Sequence, residues 1–164
     1  MEVIKPLTAL GLMSGTSMDG VDAALLVTDG VDVFDFGKAL NRPYDMEMRA
    51  DLRSITGKGA QADAEKVKDI ERRLTLFHAD VAKELMDSAG LRAQDVDVIG
   101  FHGQTVYHNA AEHVSVQIGD GDLLAAETGV CVVNRFRNSD IANGGQGAPL
   151  MPSWMKASMA MWRW

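Results

Sequence analysis

Apolar residues at helical spacing occupy the middle of the chain and constrain its fold more than any other feature. Between Ala62 and Ala89 they recur every three or four positions, and the residues between them are mostly charged. The apolar positions are Val67, Ile70, Leu74, Phe77, Val81, Leu85 and Met86. Gly90 is typical of a helix C-terminus. The pattern predicts one long amphipathic helix.

Short apolar runs on both sides of this helix predict strands. The turn signal Asp29-Gly30 favours an antiparallel start to the sheet. The predicted strands are Lys5–Met13, Val21–Thr28, Val31–Leu40, Val96–Phe101, Val114–Ile118 and Val130–Asn134. Two further helices are predicted at Tyr44–Thr56 and Leu123–Glu127. This order predicts an α/β fold, with a mixed sheet flanked by helices and later parallel strands joined through helices.

Composition excludes several classes of function. The 164 residues are about one domain's worth, and 23 acidic against 16 basic side chains give a net charge of −7. Nucleic-acid and anionic-membrane surfaces need clustered Lys and Arg, so neither partner is expected. No apolar run suits a membrane helix or a signal peptide. The single cysteine, Cys131, excludes an intrachain disulfide and fits a reducing cytoplasm.

The segment Gly11–Gly20 links the first two predicted strands and has the composition of an anion-binding loop. Gly15 and Gly20 allow a tight turn and a close approach to a ligand, and successive N–H groups in such a turn attract anions. Hydroxyl donors come from Ser14, Thr16 and Ser17. Asp19 and Asp22 could hold Mg²⁺ directly or through water. The spacing is not that of a Walker A loop, and a polar hairpin loop without a ligand explains the same residues.

A second polar group follows the predicted strand Val96–Phe101. His102, Gln104 and Thr105 carry donors and acceptors that suit the hydroxyl and acetamido groups of a sugar. Polar residues at the carboxyl end of a strand lie where ligands bind in open α/β sheets. The alternative is a histidine that caps the strand end. The histidines lack the spacing of a zinc-binding helix.

A third group follows the strand Val130–Asn134. Arg137 offers a planar fork for a carboxylate, and Asp140 could accept bonds from sugar hydroxyls or from Arg137. A surface ion pair would explain both residues equally well. Asp120 is another carboxylate at a strand end. The glycine-rich loop Ile141–Pro149, which contains Gln146, indicates a close backbone approach to a ligand or a neighbouring strand.

Three blocks of the chain together resemble the anhydro-N-acetylmuramic acid kinase family. They are GLMSGTSMDGVDAAL from Gly11, IGFHGQTVYH from Ile99, and the stretch from Gln117-Ile-Gly-Asp120 through RFRNSDIANGGQGAPL, which ends at Leu150. The resemblance implies an actin/hexokinase-like ATPase domain of the ribonuclease H-like type. It also implies a cytoplasmic sugar kinase that uses ATP and Mg²⁺.

The resemblance implies roles for particular residues. The ATP phosphates would contact the loop residues Ser14, Gly15, Thr16, Ser17, Met18, Asp19, Gly20 and Val21. The sugar would contact His102, Gln104, Asp120, Arg137, Asp140 and Gln146. The reaction would open the anhydro ring of 1,6-anhydro-N-acetylmuramic acid with water and phosphorylate it to N-acetylmuramic acid 6-phosphate, in peptidoglycan recycling.

The resemblance also implies that something further is needed for catalysis. Members of that family carry a second domain, and we expect the general-base aspartate to lie there, so no catalytic base is assigned among these residues. Residues 1–152 are expected to form the N-terminal domain. Residues 153–164 are an apolar tail that does not match and that we expect to promote self-association. The alternative function is an incompetent fragment that at best binds sugar or phosphate weakly.

Overall fold

The computed structural model describes residues 5–58, 61–109, 112, 114–138, 141 and 143. The strands are β1 (Leu7–Ser14), β2 (Gly20–Thr28), β3 (Val33–Pro43), β4 (Val98–Asn109), β5 (Val114–Ile118) and β6 (Val132–Asn134). The helices are α1 (Met46–Ile55), α2 (Ala64–Ala89) and α3 (Gly121–Thr128), and a 3-10 turn spans Ala93–Asp95. Every predicted strand and helix is therefore present. None of the helices in the described part of the chain is long and apolar enough to cross a membrane.

The strands form one mixed sheet, as the sequence predicted, and their order in it is β3-β2-β1-β4-β5, with β6 also paired to β4. The first three strands are antiparallel, and β4 lies parallel to β1. The other edge of β4 is shared, with β6 parallel along its first part and β5 antiparallel along its second. The expectation that the later strands are all parallel is therefore wrong for β5, because β4 and β5 form a hairpin.

The long helix α2 begins and ends where the sequence indicates. The Asp63 side chain accepts hydrogen bonds from the backbone N–H groups of Glu65 and Lys66, which caps the N-terminus. Gly90 ends the helix in the left-handed conformation, with φ of 71°. The apolar face of α2 is buried, with Ile70 and Leu74 fully inaccessible to solvent. Local signals at both ends therefore determine the length of the helix.

One face of the sheet packs against the helices and forms the core. Leu10 and Leu12 of β1 lie beside Ile99 and Phe101 of β4 in the sheet register, and all four side chains are buried. Ser14 and Gln104 are the next pair on the same face. The core therefore extends to the ends of these strands, where the loop after β1 begins.

Candidate functional site

The loop between β1 and β2 is a turn anchored to its surroundings at several points. The Met18 N–H donates to the Gly15 carbonyl over 3.1 Å, and Met18 has a positive φ of 52°. The Met18 side chain is buried, and its Sδ lies 3.7 Å from the Thr56 hydroxyl after α1. The Asp19 carbonyl accepts a hydrogen bond from the Tyr44 N–H over 2.9 Å. These contacts anchor the loop to the two ends of α1.

Only part of the loop faces solvent. Thr16, Ser17 and Asp19 are exposed, whereas the side chains of Ser14 and Val21 are buried. The Ser17 hydroxyl donates to Asp19 Oδ1 over 2.7 Å and, with backbone N–H groups, lowers the pKa of that carboxyl. Asp19 is therefore an anion near neutral pH. The exposed hydroxyls and this carboxylate are the side chains of the loop that a phosphate or its counter-ion can reach.

Strand packing explains one of the two loop glycines, Gly20. A Cβ at Gly20 would lie 2.4 Å from the Arg42 carbonyl oxygen and 2.7 Å from Pro43 Cα. Glycine is needed there because β3 passes close to the start of β2, which explains its presence without a ligand. Gly15 has no such neighbour, since its Cβ would meet only Ser17 Oγ at 3.4 Å.

Strand β4 continues beyond the point where the sequence placed its end. It runs to Asn109, so His102 and Gln104 lie within the strand and not after it. A bulge occurs between them: Leu12 pairs with Phe101, but Ser14 pairs with Gln104. Gly103 adopts a φ of 69°, and a Cβ there would lie 2.5 Å from the Ile118 carbonyl oxygen. The close hairpin with β5 therefore requires glycine at the bulge.

The bulge sends His102 and Gln104 to different surroundings. Gln104 is fully buried, and its Nε2 donates to the Gly15 carbonyl over 2.9 Å. This contact favours a role for Gln104 in holding the phosphate-loop candidate, and direct contact with a sugar stays a prediction. Ser14 makes a similar connection, since its hydroxyl donates to the Gly103 carbonyl over 3.0 Å. Two hydrogen bonds thus tie the loop to β4.

His102 and Arg137 form a direct pair, although the sequence separates them by 35 positions. Arg137 Nε donates to His102 Nε2 over 3.1 Å, and His102 Nδ1 lies 2.8 Å from the Gly103 carbonyl. Burial lowers the pKa of His102, and the positive charge of Arg137 lowers it further. The hydrogen bond to the Gly103 carbonyl raises the pKa but does not offset these two effects. The imidazole is therefore neutral near pH 7. The structure thus brings together two candidates for the sugar site, and their contact with a sugar stays a prediction.

A cavity of about 220 Å³ has His102 of this pair in its wall. Its wall includes His102, Gln117, Asn134 and two residues that the sequence analysis did not single out, Glu71 and Arg135. Glu71 belongs to the charged run Asp63–Arg73, a pattern typical of a solvated helix face, but its Oε1 accepts a hydrogen bond from the Gly119 N–H over 2.8 Å. Arg135 has a positive φ of 57°. No local signal in the sequence marks Glu71, whereas Arg135 follows the same strand end as Arg137 and lies in the third family-like block.

Asp120 lies beside this cavity but is engaged in capping a helix. Its carboxylate accepts hydrogen bonds from the N–H groups of Asp122 and Leu123, each over 3.0 Å, at the start of α3. A role in sugar binding stays a prediction. Asp140 and Gln146 lie outside the described residues, as do residues 144–164 and with them the predicted tail.

The carboxylates among the described residues could bind Mg²⁺ only together with ligands from outside the protein, such as phosphate oxygens and waters. Among the described residues no group of three or more His, Cys, Asp or Glu side chains could hold a metal ion. Asp22 accepts a hydrogen bond from Asn41 Nδ2 over 2.8 Å. Mg²⁺ is often held by one or two carboxylates together with phosphate oxygens and waters. The exposed, ionised Asp19 fits that pattern.

Comparison with known proteins identifies relatives over most of the chain. The family model described as anhydro-N-acetylmuramic acid kinase matches residues 7–163. The kinase of that name from Paramagnetospirillum magneticum is 52% identical over 153 residues, covering 93% of this chain and 41% of its own length. That of Rhodospirillum rubrum is 51% identical over 146 residues, covering 89% and 38%. The chain therefore spans about two fifths of the length of the curated relatives that it matches.

Proposed function

The chain belongs to the anhydro-N-acetylmuramic acid kinase family, and from that premise we propose that it binds phosphate and sugar for an ATP-dependent kinase. The proposed reaction opens 1,6-anhydro-N-acetylmuramic acid with water and transfers the γ-phosphoryl group of ATP to O6. The product is N-acetylmuramic acid 6-phosphate, an intermediate of cytoplasmic peptidoglycan recycling. The mixed sheet with its helices is compatible with an actin/hexokinase-like, ribonuclease H-like fold.

A single structural observation carries this proposal. The Gly103 carbonyl accepts hydrogen bonds from Ser14 Oγ and from His102 Nδ1, at 3.0 and 2.8 Å. One backbone group thus joins the candidate phosphate loop to the pair formed by His102 and Arg137. Phosphoryl transfer depends mainly on holding the phosphates and the acceptor in a fixed relative position. A rigid connection between the two candidate sites supports that requirement.

The exposed side chains of the loop and the half-buried Arg137 each have a role in the proposed reaction. The hydroxyls of Thr16 and Ser17 would donate to phosphate oxygens, and the Arg137 guanidinium would bind the lactyl carboxylate of the sugar. Asp19 would hold Mg²⁺ through its carboxylate or through water, and the ion would neutralise charge on the phosphates. No described residue is assigned as the base for the attacking water.

A second candidate is binding without turnover. It is favoured by the coverage of the relatives, because this chain corresponds to only about two fifths of each. In that case the 164 residues would bind the sugar or phosphate weakly. A coupled assay for ADP release separates the two candidates, since kinases turn over at about 1 s⁻¹ or faster. Turnover near that rate supports the first, and binding without turnover supports the second.

Isothermal titration with the anhydro-sugar and with Mg–ATP tests the residue assignments. Arg137→Gln should weaken sugar binding by about 10- to 100-fold, the equivalent of a charged hydrogen bond of roughly 1.5–3 kcal/mol, and should leave ATP binding unchanged. Arg53→Gln is the matched control, because Arg53 is exposed in the last turn of α1. Equal affinities in both variants would contradict the role of Arg137. If neither ligand binds the chain, both candidate functions fail.

A further inference from the structure

The hydrogen bonds of His102 define its tautomer. Its Nδ1 faces the Gly103 carbonyl oxygen and its Nε2 faces Arg137 Nε. A carbonyl oxygen only accepts hydrogen bonds, and a guanidinium only donates them. Nδ1 must therefore carry the proton and Nε2 must be the acceptor. Any other tautomer would place two donors, or two acceptors, opposite each other.

The neutral ring also sets the direction of the Arg137 side chain. A bond from Nε directs an incoming carboxylate to the end-on fork formed by the two Nη atoms. Protonation of His102 would put an N–H against the guanidinium, so the pair would separate. Within the described part of the chain, the charged residues in the wall of the cavity are Glu71 from α2 and Arg135 from the segment after β6. His102 is half-buried and lines the same cavity.

The same ring is connected to the phosphate-loop candidate. His102 Nδ1 and Ser14 Oγ share the Gly103 carbonyl, and this carbonyl lies in the bulge that glycine alone accommodates. A histidine in a bulge of β4 is therefore held from the backbone, independently of any ligand. The hydrogen bond to the Gly103 carbonyl does not involve Arg137, so the ring has a partner of its own on the backbone.

We propose that His102 is a positioning residue, which in its neutral Nδ1–H form orients Arg137 for a carboxylate-bearing ligand and does not contact that ligand itself. This inference rests on the proposed function, because it takes the ligand to be the lactyl-bearing anhydro-sugar. It differs from the sequence-based expectation, in which His102 was itself a sugar ligand. The distinction can be measured, since a positioning residue affects only ligands that use Arg137.

Long-range ¹H–¹⁵N correlation NMR on the full 164-residue chain tests the tautomer without any ligand. We expect a neutral ring protonated at Nδ1, and an Arg137 Nε–H signal protected from exchange. In His102→Ala that protection should be lost, and in His102→Gln it should largely return, because the Gln amide oxygen can replace Nε2 as acceptor. A ring protonated at Nε2, or an Arg137 signal that does not respond to His102→Ala, would overturn the proposal whatever the chain binds.

Titration with two sugars tests the second part of the proposal, that His102 affects only ligands bound through Arg137. The probes are 1,6-anhydro-N-acetylmuramic acid and 1,6-anhydro-N-acetylglucosamine, which lacks the lactyl carboxylate. His102→Ala should weaken binding of the first by about tenfold and leave the second unchanged, and His102→Gln should restore most of the loss. His108→Ala, at an exposed position of the same strand, is the control.

The outcomes separate the two proposals. An equal loss for both sugars in His102→Ala means that His102 contacts the sugar or only stabilises the fold, and the positioning role is then wrong. If the predicted tautomer is found but neither sugar binds the unsubstituted chain, the proposed function fails and the second part of this proposal fails with it.

Discussion

Replacing Gly20 by alanine should destabilise the protein in the absence of any ligand. Gly20 begins β2 and lies opposite Pro43 of β3. An added Cβ would lie 2.4 Å from the Arg42 carbonyl oxygen, 2.7 Å from Pro43 Cα and 3.0 Å from the Arg42 carbonyl carbon. All three atoms belong to the backbone, so no side-chain rotation relieves the clash. The two strands must separate locally by about 1 Å to restore ordinary contact distances near 3.5 Å.

The expected magnitude follows from two opposing effects. Overpacking of a well-packed interior costs about 1–3 kcal/mol, and a clash with backbone belongs at the upper end of that range. Alanine also restricts the unfolded chain, which offsets about 0.4–1 kcal/mol. The free energy of unfolding should therefore fall by about 2 kcal/mol. For a chain of this size the Tm should fall by about 4–8 °C.

Gly11→Ala is the matched control. Gly11 lies in β1 on an exposed face, and its nearest neighbour to an added Cβ is the Ala24 carbonyl oxygen at 4.0 Å. The free energy of unfolding of Gly11→Ala should equal or slightly exceed that of the unsubstituted chain. Urea and thermal unfolding followed by circular dichroism compare the two variants without ligand. If their free energies of unfolding agree within about 0.5 kcal/mol, the strand-packing explanation is wrong. Loss of ATP affinity at unchanged stability would instead support the close approach of a ligand.

Three further predictions concern buried or capping groups. Burial lowers the pKa of His78 from 6.5 to about 4. Between these two pH values the imidazole is protonated in the unfolded chain and neutral in the folded chain. The titration of His78 should therefore lower the free energy of unfolding by about 2 kcal/mol when the pH falls from 7 to 5. In His78→Asn the free energy of unfolding, measured at both pH values, should fall by less. Ser14→Ala should cost only about 1 kcal/mol in urea unfolding, because the Gly103 carbonyl still accepts from His102; a cost above about 3 kcal/mol would contradict this. Asp120→Ala should cost about 0.5–2 kcal/mol and Asp120→Asn much less, whereas equal stabilities would exclude the capping role.

Elements with a strong local pattern were predictable from the sequence. Helix α2 was expected from Ala62 to Ala89 and begins at Ala64, because both its apolar period and its caps are local signals. The antiparallel start of the sheet was expected for the same reason, from Asp29-Gly30. Helix α1 begins at Met46 with Asp45 as its cap, a shift of two residues from the predicted start.

The end of strand β4 was not predictable, because its cause is distant in the sequence. The continuation to Asn109 depends on pairing with β5, and the bulge depends on the Ile118 carbonyl oxygen close to Gly103. Glycine at a strand end and glycine at a bulge look alike in a sequence. The same limit explains why Gly20 was interpreted through a ligand and not through Arg42.

The candidate site, too, has parts that the local sequence indicates and parts that depend on the tertiary structure. Sequence motifs, together with the family resemblance that they carry, indicated the loop Ser14–Val21, His102 and Arg137 as candidates for binding a ligand, because each motif is short and contiguous. Only the tertiary structure decided that the Ser14 hydroxyl is engaged by the backbone, that Gln104 faces the core, and that Glu71 joins the cavity wall. These assignments depend on which face of the sheet a side chain occupies. A one-residue bulge reverses that face, and it is determined by contacts between strands that the order of residues does not encode locally.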